Sequence, residues 1–168
     1  MAGRYEARLN KTLGGKIGTT TTPLDSTAST VRSREAAIGN LIADAIRDAG
    51  KADVALINGG GIRGDRRYAA GSALTARDIL GELPFNNVVM VLAVTGAELR
   101  AALEHGLAGI GEGRFPQVSG LRAAYDPQRP AGSRIVAVTV DGKPVDPKAT
   151  YRLATNDFLA AGGDGYTL

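Results

Sequence analysis

Asn58-Gly59-Gly60-Gly61-Ile62-Arg63 follows a short apolar run, Val54-Ala55-Leu56-Ile57. The run reads as a buried strand. The three glycines that leave it have no side chains to pack. What they offer is backbone freedom, positive φ included, and room for a ligand to approach the main chain. Successive N–H groups in such a turn can form an anion-binding nest. Arg63 adds a fixed charge and a planar donor fork suited to phosphate or carboxylate. The other reading is a tight strand-exit loop with an exposed arginine, and the hexapeptide alone leaves both open. Gly59, Gly61 and Gly64 also match G-x-G-x-x-G formally. A dinucleotide site needs a helix opening at the third glycine, and Asp65 to Gly71 carries no helical apolar stripe, so that reading fails. No G-x-x-x-x-G-K-[ST] occurs, which excludes a P-loop.

The 168 residues suit one domain, taken as 1–168, with a sizeable core. No apolar run approaches the ~20 residues of a membrane span. Met1 to Lys16 lacks the apolar centre of a signal peptide, so an export signal would have to lie outside this chain. The absence of cysteine excludes disulfides and thiolate metal sites. The net charge of +3 is mild, and the basic residues are scattered with few aromatics between them. That pattern argues against nucleic acid and leaves a small anionic ligand. Hydrolytic metal sites draw on several histidines and carboxylates, and this chain has one histidine, His105. There is no G-x-S-x-G either. His105 stands just before Gly106 on a predicted helix and reads as a helix-end or surface residue. The chain therefore reads as a binder, or as part of an enzyme, rather than a complete hydrolase.

Outward from the glycine loop, the pattern predicts a strand near Lys16 to Thr22 and a loop through Asp25-Ser26. Ile38, Leu41, Ile42, Ala45, Ile46 and Ala49 have helical spacing, with Ser33 a candidate N-cap and Gly50 a candidate C′ residue. Gly39 inside that helix costs about 1 kcal/mol relative to alanine, so something must pack closely against it. Thr75-Ala76-Arg77-Asp78 opens a short helix that Pro84 ends near Leu83. Asn87 to Thr95 reads as a strand. Thr95-Gly96-Ala97-Glu98 is a capping box for a helix that buries Leu99, Ala102, Leu103 and Leu107. Ile110 to Gly113 is a glycine-rich loop. Strands follow at Leu121 to Tyr125, at Arg134 to Val140 with a hairpin at Asp141-Gly142 and a return strand, and at Thr150 to Ala154. The mixture predicts an α+β domain with a mixed sheet flanked by helices.

A second cluster, Asn156-Asp157-Phe158-Leu159-Ala160-Ala161-Gly162-Gly163-Asp164-Gly165-Tyr166, again sets glycines beside an acid and an aromatic ring. The three phenylalanines are Phe85, Phe115 and Phe158. A loop phenylalanine often plugs a core. Phe85 and Phe158, both beside turn sequence, could instead sandwich a planar ring.

Four segments in order carry a resemblance to the C-terminal domain of the 5′-nucleotidase family, which includes bacterial UDP-sugar hydrolases and animal ecto-5′-nucleotidases. They are Arg32-Ser33-Arg34-Glu35 with Gly39 to Ala45, Asn58 to Arg63, Leu83-Pro84-Phe85, and Asn156 to Tyr166. The resemblance implies a domain that grips a nucleotide such as AMP or a UDP-sugar. It implies a base sandwich of Phe85 and Phe158, a ribose-binding Asp164, and phosphate-side Arg32 and Arg63. Asn58 and the Gly60-Gly61 main chain would lie near base or sugar, with Arg34 a lesser contributor. It also implies a partner in cis, an N-terminal metallophosphoesterase domain holding two divalent metal ions, and a periplasmic or extracellular setting. The motifs of that domain are absent from this chain, so no cofactor and no catalytic residue is expected here, and the chain alone is expected to be inactive. It reads as an excised C-terminal domain or a gene fragment. The lack of cysteine departs from the animal members and suits a bacterial one. Some relatives carry tyrosine at the stacking positions or act on other esters, and phenylalanine at both favours a nucleotide. The alternatives are a stand-alone nucleotide-binding module, or a domain of a 2′,3′-cyclic nucleotide phosphodiesterase or sulfur-ester hydrolase.

Overall fold

A computed structural model describes residues 12–168, so most of the stretch Met1 to Lys16 lies outside the described residues. Its centre is a four-stranded sheet ordered β6-β11-β3-β7, where β3 is Val54–Asn58, β6 Val89–Thr95, β7 Pro116–Ser119 and β11 Thr150–Asn156. β11 runs parallel to β3 and antiparallel to β6, and β3 is antiparallel to β7. The fold is α+β with a mixed sheet, as the sequence pattern predicts.

Alternation explains why β3 reads as an unbroken apolar run. Val54 and Leu56 face one core, while Ala55 and Ile57 face the other. On the first side the sheet packs against α4 (Gly96–Ala108) and a three-stranded sheet of β8 (Leu121–Tyr125), β9 (Ile135–Val140) and β10 (Lys143–Pro144). Leu99, Ala102, Leu103 and Leu107 of α4 are buried there, as their spacing requires. The carboxylate of Glu104 joins the layers by accepting from the main-chain N–H groups of Arg134 and Ile135. On the second side lies α2 (Ala37–Gly50), the long helix that follows the short α1 (Ala28–Val31). Two antiparallel pairs flank this side: β1 (Lys16–Thr19) with β5 (Ala73–Thr75), and β2 (Leu24–Asp25) with β4 (Arg67–Tyr68). α3 (Ala76–Glu82) continues directly from β5, and α5 (Asp157–Ala160) directly from β11.

Both capping boxes form. Thr75 and Thr95 accept from the N–H groups of Asp78 and Glu98, whose carboxylates return the bond. Three local expectations change. Ser33 does not cap α2: Ala36 is the N-cap, and its N–H is taken by Gln117 Oε1 at 3.0 Å. Gly50 ends the helix proper, and the left-handed position falls on Lys51 at φ 46°. Leu41, Ala45 and Ala49 are not buried, because the buried stripe is Ile38, Gly39, Ile42 and Ala43. The close neighbour demanded by Gly39 is the buried side chain of Gln117, into which a β-carbon would collide. Gln117 lies on β7, a strand the sequence pattern does not reveal. Its amide also donates to the carbonyls of Val31 and Arg34, at 2.9 and 2.8 Å. One side chain thus fixes the α1–α2 connection that carries Arg32.

Candidate functional site

β3 and β11 are parallel neighbours, and the two glycine-rich clusters leave their carboxyl ends side by side. The crevice outside such strand ends is where open α/β sheets bind ligands. After β3, Gly59–Gly61 forms one tight helical turn. None of these glycines has positive φ, and two of their three N–H groups are taken by main-chain carbonyls. Gly59 N donates to Phe115 O at 2.8 Å and Gly60 N to Gly113 O at 2.7 Å. The glycines are required by proximity instead. A β-carbon on residue 59 would strike the carbonyl of Val31, and one on residue 60 would stand 2.9 Å from Gly113 Cα.

After β11, Asn156 caps α5 by accepting from Leu159 N at 2.8 Å. Leu159 is buried, which leaves the neighbouring Phe158 exposed over the crevice. The turn Gly163–Gly165 then places Asp164 in the left-handed region at φ 53°, flanked by Gly162 and Gly165, both with positive φ. Its carboxylate accepts from Asn58 Nδ2 at 2.7 Å across 106 residues of sequence, so the two clusters meet directly. Its carbonyl lies 2.8 Å from His105 Nε2, and the imidazole packs edge-on against Tyr166. The sole histidine, read from sequence as a helix-end or surface residue, supports the turn that carries Asp164. Tyr166 donates to Arg114 O at 2.7 Å, and burial pushes its phenol well above the usual range, so it stays a donor.

Phe85 reaches the same crevice from the loop that leads into β6. The register pairs Asn156 with Val89, and Asp157 exchanges bonds with Val88 through its N–H and its carboxylate, at 3.0 and 3.2 Å. Two rings far apart in sequence are therefore carried by adjoining strand ends. Phe85 is 55% and Phe158 45% exposed. Phe115 is buried in the core. The Arg63 guanidinium carbon lies 5.7 Å from the centre of the Phe85 ring. Gly163 lies beneath Phe158, where a β-carbon would come within 2.6 Å of its ring carbons.

A cavity of about 550 Å³ is lined by Arg32, Asn58, Gly60, Gly61, Arg63, Phe85 and Phe158, with Asp164, Asn87 and Gly113. Apart from Arg34, every residue expected at the site thus borders one space, and its volume suits a small organic ligand. Asn87 and Gly113 are the additions that sequence reading missed, although Asn87 stands two residues beyond Phe85. Arg34 does not line the cavity and donates instead to Thr30 Oγ1 at 3.2 Å. Two buried polar atoms here, Asn58 Oδ1 and Arg32 Nε, have no hydrogen-bond partner among the described residues. Buried groups of this kind are costly unless satisfied, so both suit a site that a polar ligand completes. A larger cleft of about 1250 Å³ lies between α4 and the β9–β10 hairpin. Arg100 there donates to Ile135 O, and Glu104 serves the main chain, so these two charged groups are spent on the fold. Among the described residues, no group of three or more His, Asp or Glu is placed to hold a metal ion.

The sequence model of the family described as 5′-nucleotidase, C-terminal domain, matches residues 16–168. Over 176 residues the chain is 35% identical to the trifunctional nucleotide phosphoesterase protein YfkN of Bacillus subtilis (strain 168), covering 98% of this chain and 12% of that protein. It is 33% identical over 172 residues to a 5′-nucleotidase of Diplobatis ommata, covering 90% of this chain and 30% of that one. Among solved structures, a 5′-nucleotidase precursor from Thermus thermophilus superposes with a TM-score of 0.87 at 39% identity, over 98% of this chain and 34% of that one. The chain thus spans about a third or less of these relatives.

Proposed function

This chain belongs to the 5′-nucleotidase C-terminal domain family, and on that premise we propose that it is the substrate-recognition domain of a two-metal nucleotide phosphohydrolase, a 5′-nucleotidase or UDP-sugar hydrolase. The base enters between Phe85 and Phe158, where stacking contributes about 1–3 kcal/mol per base. Asp164 accepts from the ribose hydroxyls through charge-assisted bonds that fix orientation. Arg32 and Arg63 hold the phosphate, and Asn58 with the Gly60-Gly61 main chain flanks base or sugar. The observation that carries this reading is the single cavity onto which all of these residues open. The unsatisfied Asn58 Oδ1 and Arg32 Nε support it further.

The described residues do not fit a metal pair. In the proposed enzyme, two metal ions in a metallophosphoesterase domain would supply the nucleophile and stabilise the in-line transition state. This chain's residues bind and orient, and binding energy realised away from the reacting phosphorus can serve catalysis when domains close. No described helix is long and apolar enough to cross a membrane, and one relative is a snake venom 5′-nucleotidase. We place the enzyme in the periplasm or outside the cell, with no nucleic-acid partner.

The test is a titration of the chain with AMP. Phe158→Ala should weaken binding by about 5- to 150-fold, the equivalent of 1–3 kcal/mol. Its melting temperature should barely move, since an exposed ring contributes little to the core. A variant that keeps its AMP affinity and loses about 3–5 kcal/mol of stability would make Phe158 a core residue and sink the clamp.

A further inference from the structure

Glu82 is the last residue of α3 and is 1% exposed. Isolated buried carboxylates are costly, so such a group must be satisfied where it lies. The ion pairs among the described residues do not include it. Its partners are neutral donors instead. Oε1 accepts from Tyr68 OH at 2.8 Å and Ser26 Oγ at 3.0 Å, and Oε2 accepts from Gly64 N at 3.1 Å. Its main-chain carbonyl accepts from Arg63 N at 2.8 Å. Ser26 Oγ in turn accepts from Arg66 N at 2.9 Å and lies 3.1 Å from Arg66 O, a second acceptor for its one proton. The main chain at residues 63, 64 and 66 is therefore fastened to one buried hub.

We propose that Glu82 is the positioning residue for Arg63, a buried carboxylate that fixes the main chain from which the phosphate-binding guanidinium extends. The inference rests on the phosphate role of Arg63 given above. On one side of that residue, Ile62 is locked in the core at 2% exposure. On the other, residue 64 must be glycine, because a β-carbon there would run into the Glu82 carboxylate. Arg63 itself is exposed and touches the protein through the Phe85 ring. Phe85 stands three residues after Glu82, so one short segment holds both the root of Arg63 and the surface on which its head rests. An arginine fixed at its root loses less freedom when it captures an anion. All three partners of its side chain have a proton to donate, and a carboxylate can accept all three. The NH₂ of a glutamine cannot accept, so at least one of the three bonds would be lost or reversed. Burial and the bond to Glu82 push the Tyr68 phenol up to about 12, so it remains a donor.

The test is an NMR titration of the chain and its variants with AMP and with adenosine, which differ only in the phosphate. Glu82→Gln should weaken AMP about tenfold while adenosine changes by less than about twofold. In an Arg63→Ala background the same substitution should have no further effect on AMP, since coupled residues are non-additive. Equal loss for both ligands, or full additivity with Arg63→Ala, would make Glu82 a structural staple only and overturn the proposal. Tyr68→Phe, which removes one donor and keeps the ring, should lower AMP selectively but less. It serves as the same test should Glu82→Gln fail to fold. An Arg63→Ala variant that keeps the preference for AMP over adenosine would instead overturn the phosphate reading, and absence of binding to the wild-type chain would overturn both.

Discussion

Asp164 combines a strained backbone with an exposed carboxylate. A non-glycine residue at φ 53° is tolerated best by Asn and Asp, whose short polar side chains suit the left-handed region. The conformation aims one carboxylate oxygen at Asn58, and the residue lines the cavity. Asp164→Asn keeps the backbone preference and removes the charge. It should weaken adenosine and AMP alike by about tenfold, through loss of charge-assisted bonds, with a urea midpoint close to wild type. Unchanged affinity would reduce Asp164 to a turn residue bonded to its own neighbourhood. The common loss for both ligands separates this residue from Arg63, whose replacement should act on AMP alone. At this scale Phe85, Phe158 and Asp164 stand out in the sequence because each lies in a short local motif that carries the family resemblance. The role of the glycines was not legible. Their need comes from Val31 and Gly113, which touch them only after the chain has folded. His105 was opaque for the same reason, since its partner Asp164 is 59 residues away.

Among the elements, α1 carries Arg32 at its carboxyl end and is tied down by Asp25 at its start. The Asp25 carboxylate accepts from the N–H and hydroxyl of Thr27, at 2.9 and 2.6 Å, and from Thr30 Oγ1 at 3.1 Å. The Thr27 hydroxyl is the main cause holding its pKa at about 2, with further help from Thr30 and the Arg67 guanidinium. A value lower in the folded than in the unfolded state means stability that is fully present above about pH 4 and lost as pH falls toward 2. Asp25→Asn should therefore lower stability at pH 7, and the gap from wild type should close on acidification. Urea unfolding at pH 7 and pH 3 checks this. A gap that is constant with pH would remove the charge from the argument. The helices with capping boxes were readable because a cap is a four-residue event. β7 was hidden by its buried polar side chains. Gln117 and Ser119 break the apolar alternation, and their partners Ala36, Val31, Arg34 and Asp44 lie 75 or more residues away.

For the whole molecule, the division of labour has a direct readout. The chain alone should release no phosphate from AMP or a UDP-sugar when Mn²⁺, Co²⁺ or Zn²⁺ is added. A metal-dependent rate abolished by a substitution within residues 12–168 would overturn that. The α+β class was legible because irregular alternation of helix and strand, with a hairpin, disfavours a purely parallel sheet. The strand order was not, since nothing local says that β11 enters between β3 and β6. That insertion bears on synthesis. While the ribosome is still adding residues 96–149, β3 and β6 already exist but lack the strand that joins them. Non-local pairing of this kind is slow and leaves apolar edges uncovered until it completes. Phe158 and Asp164 lie beyond β11 in the chain, and Phe85 gains its place beside them only when β6 pairs with it. A nascent chain arrested before residue 150 thus presents chaperones and proteases with open strand edges and without the cavity that Phe158 and Asp164 complete.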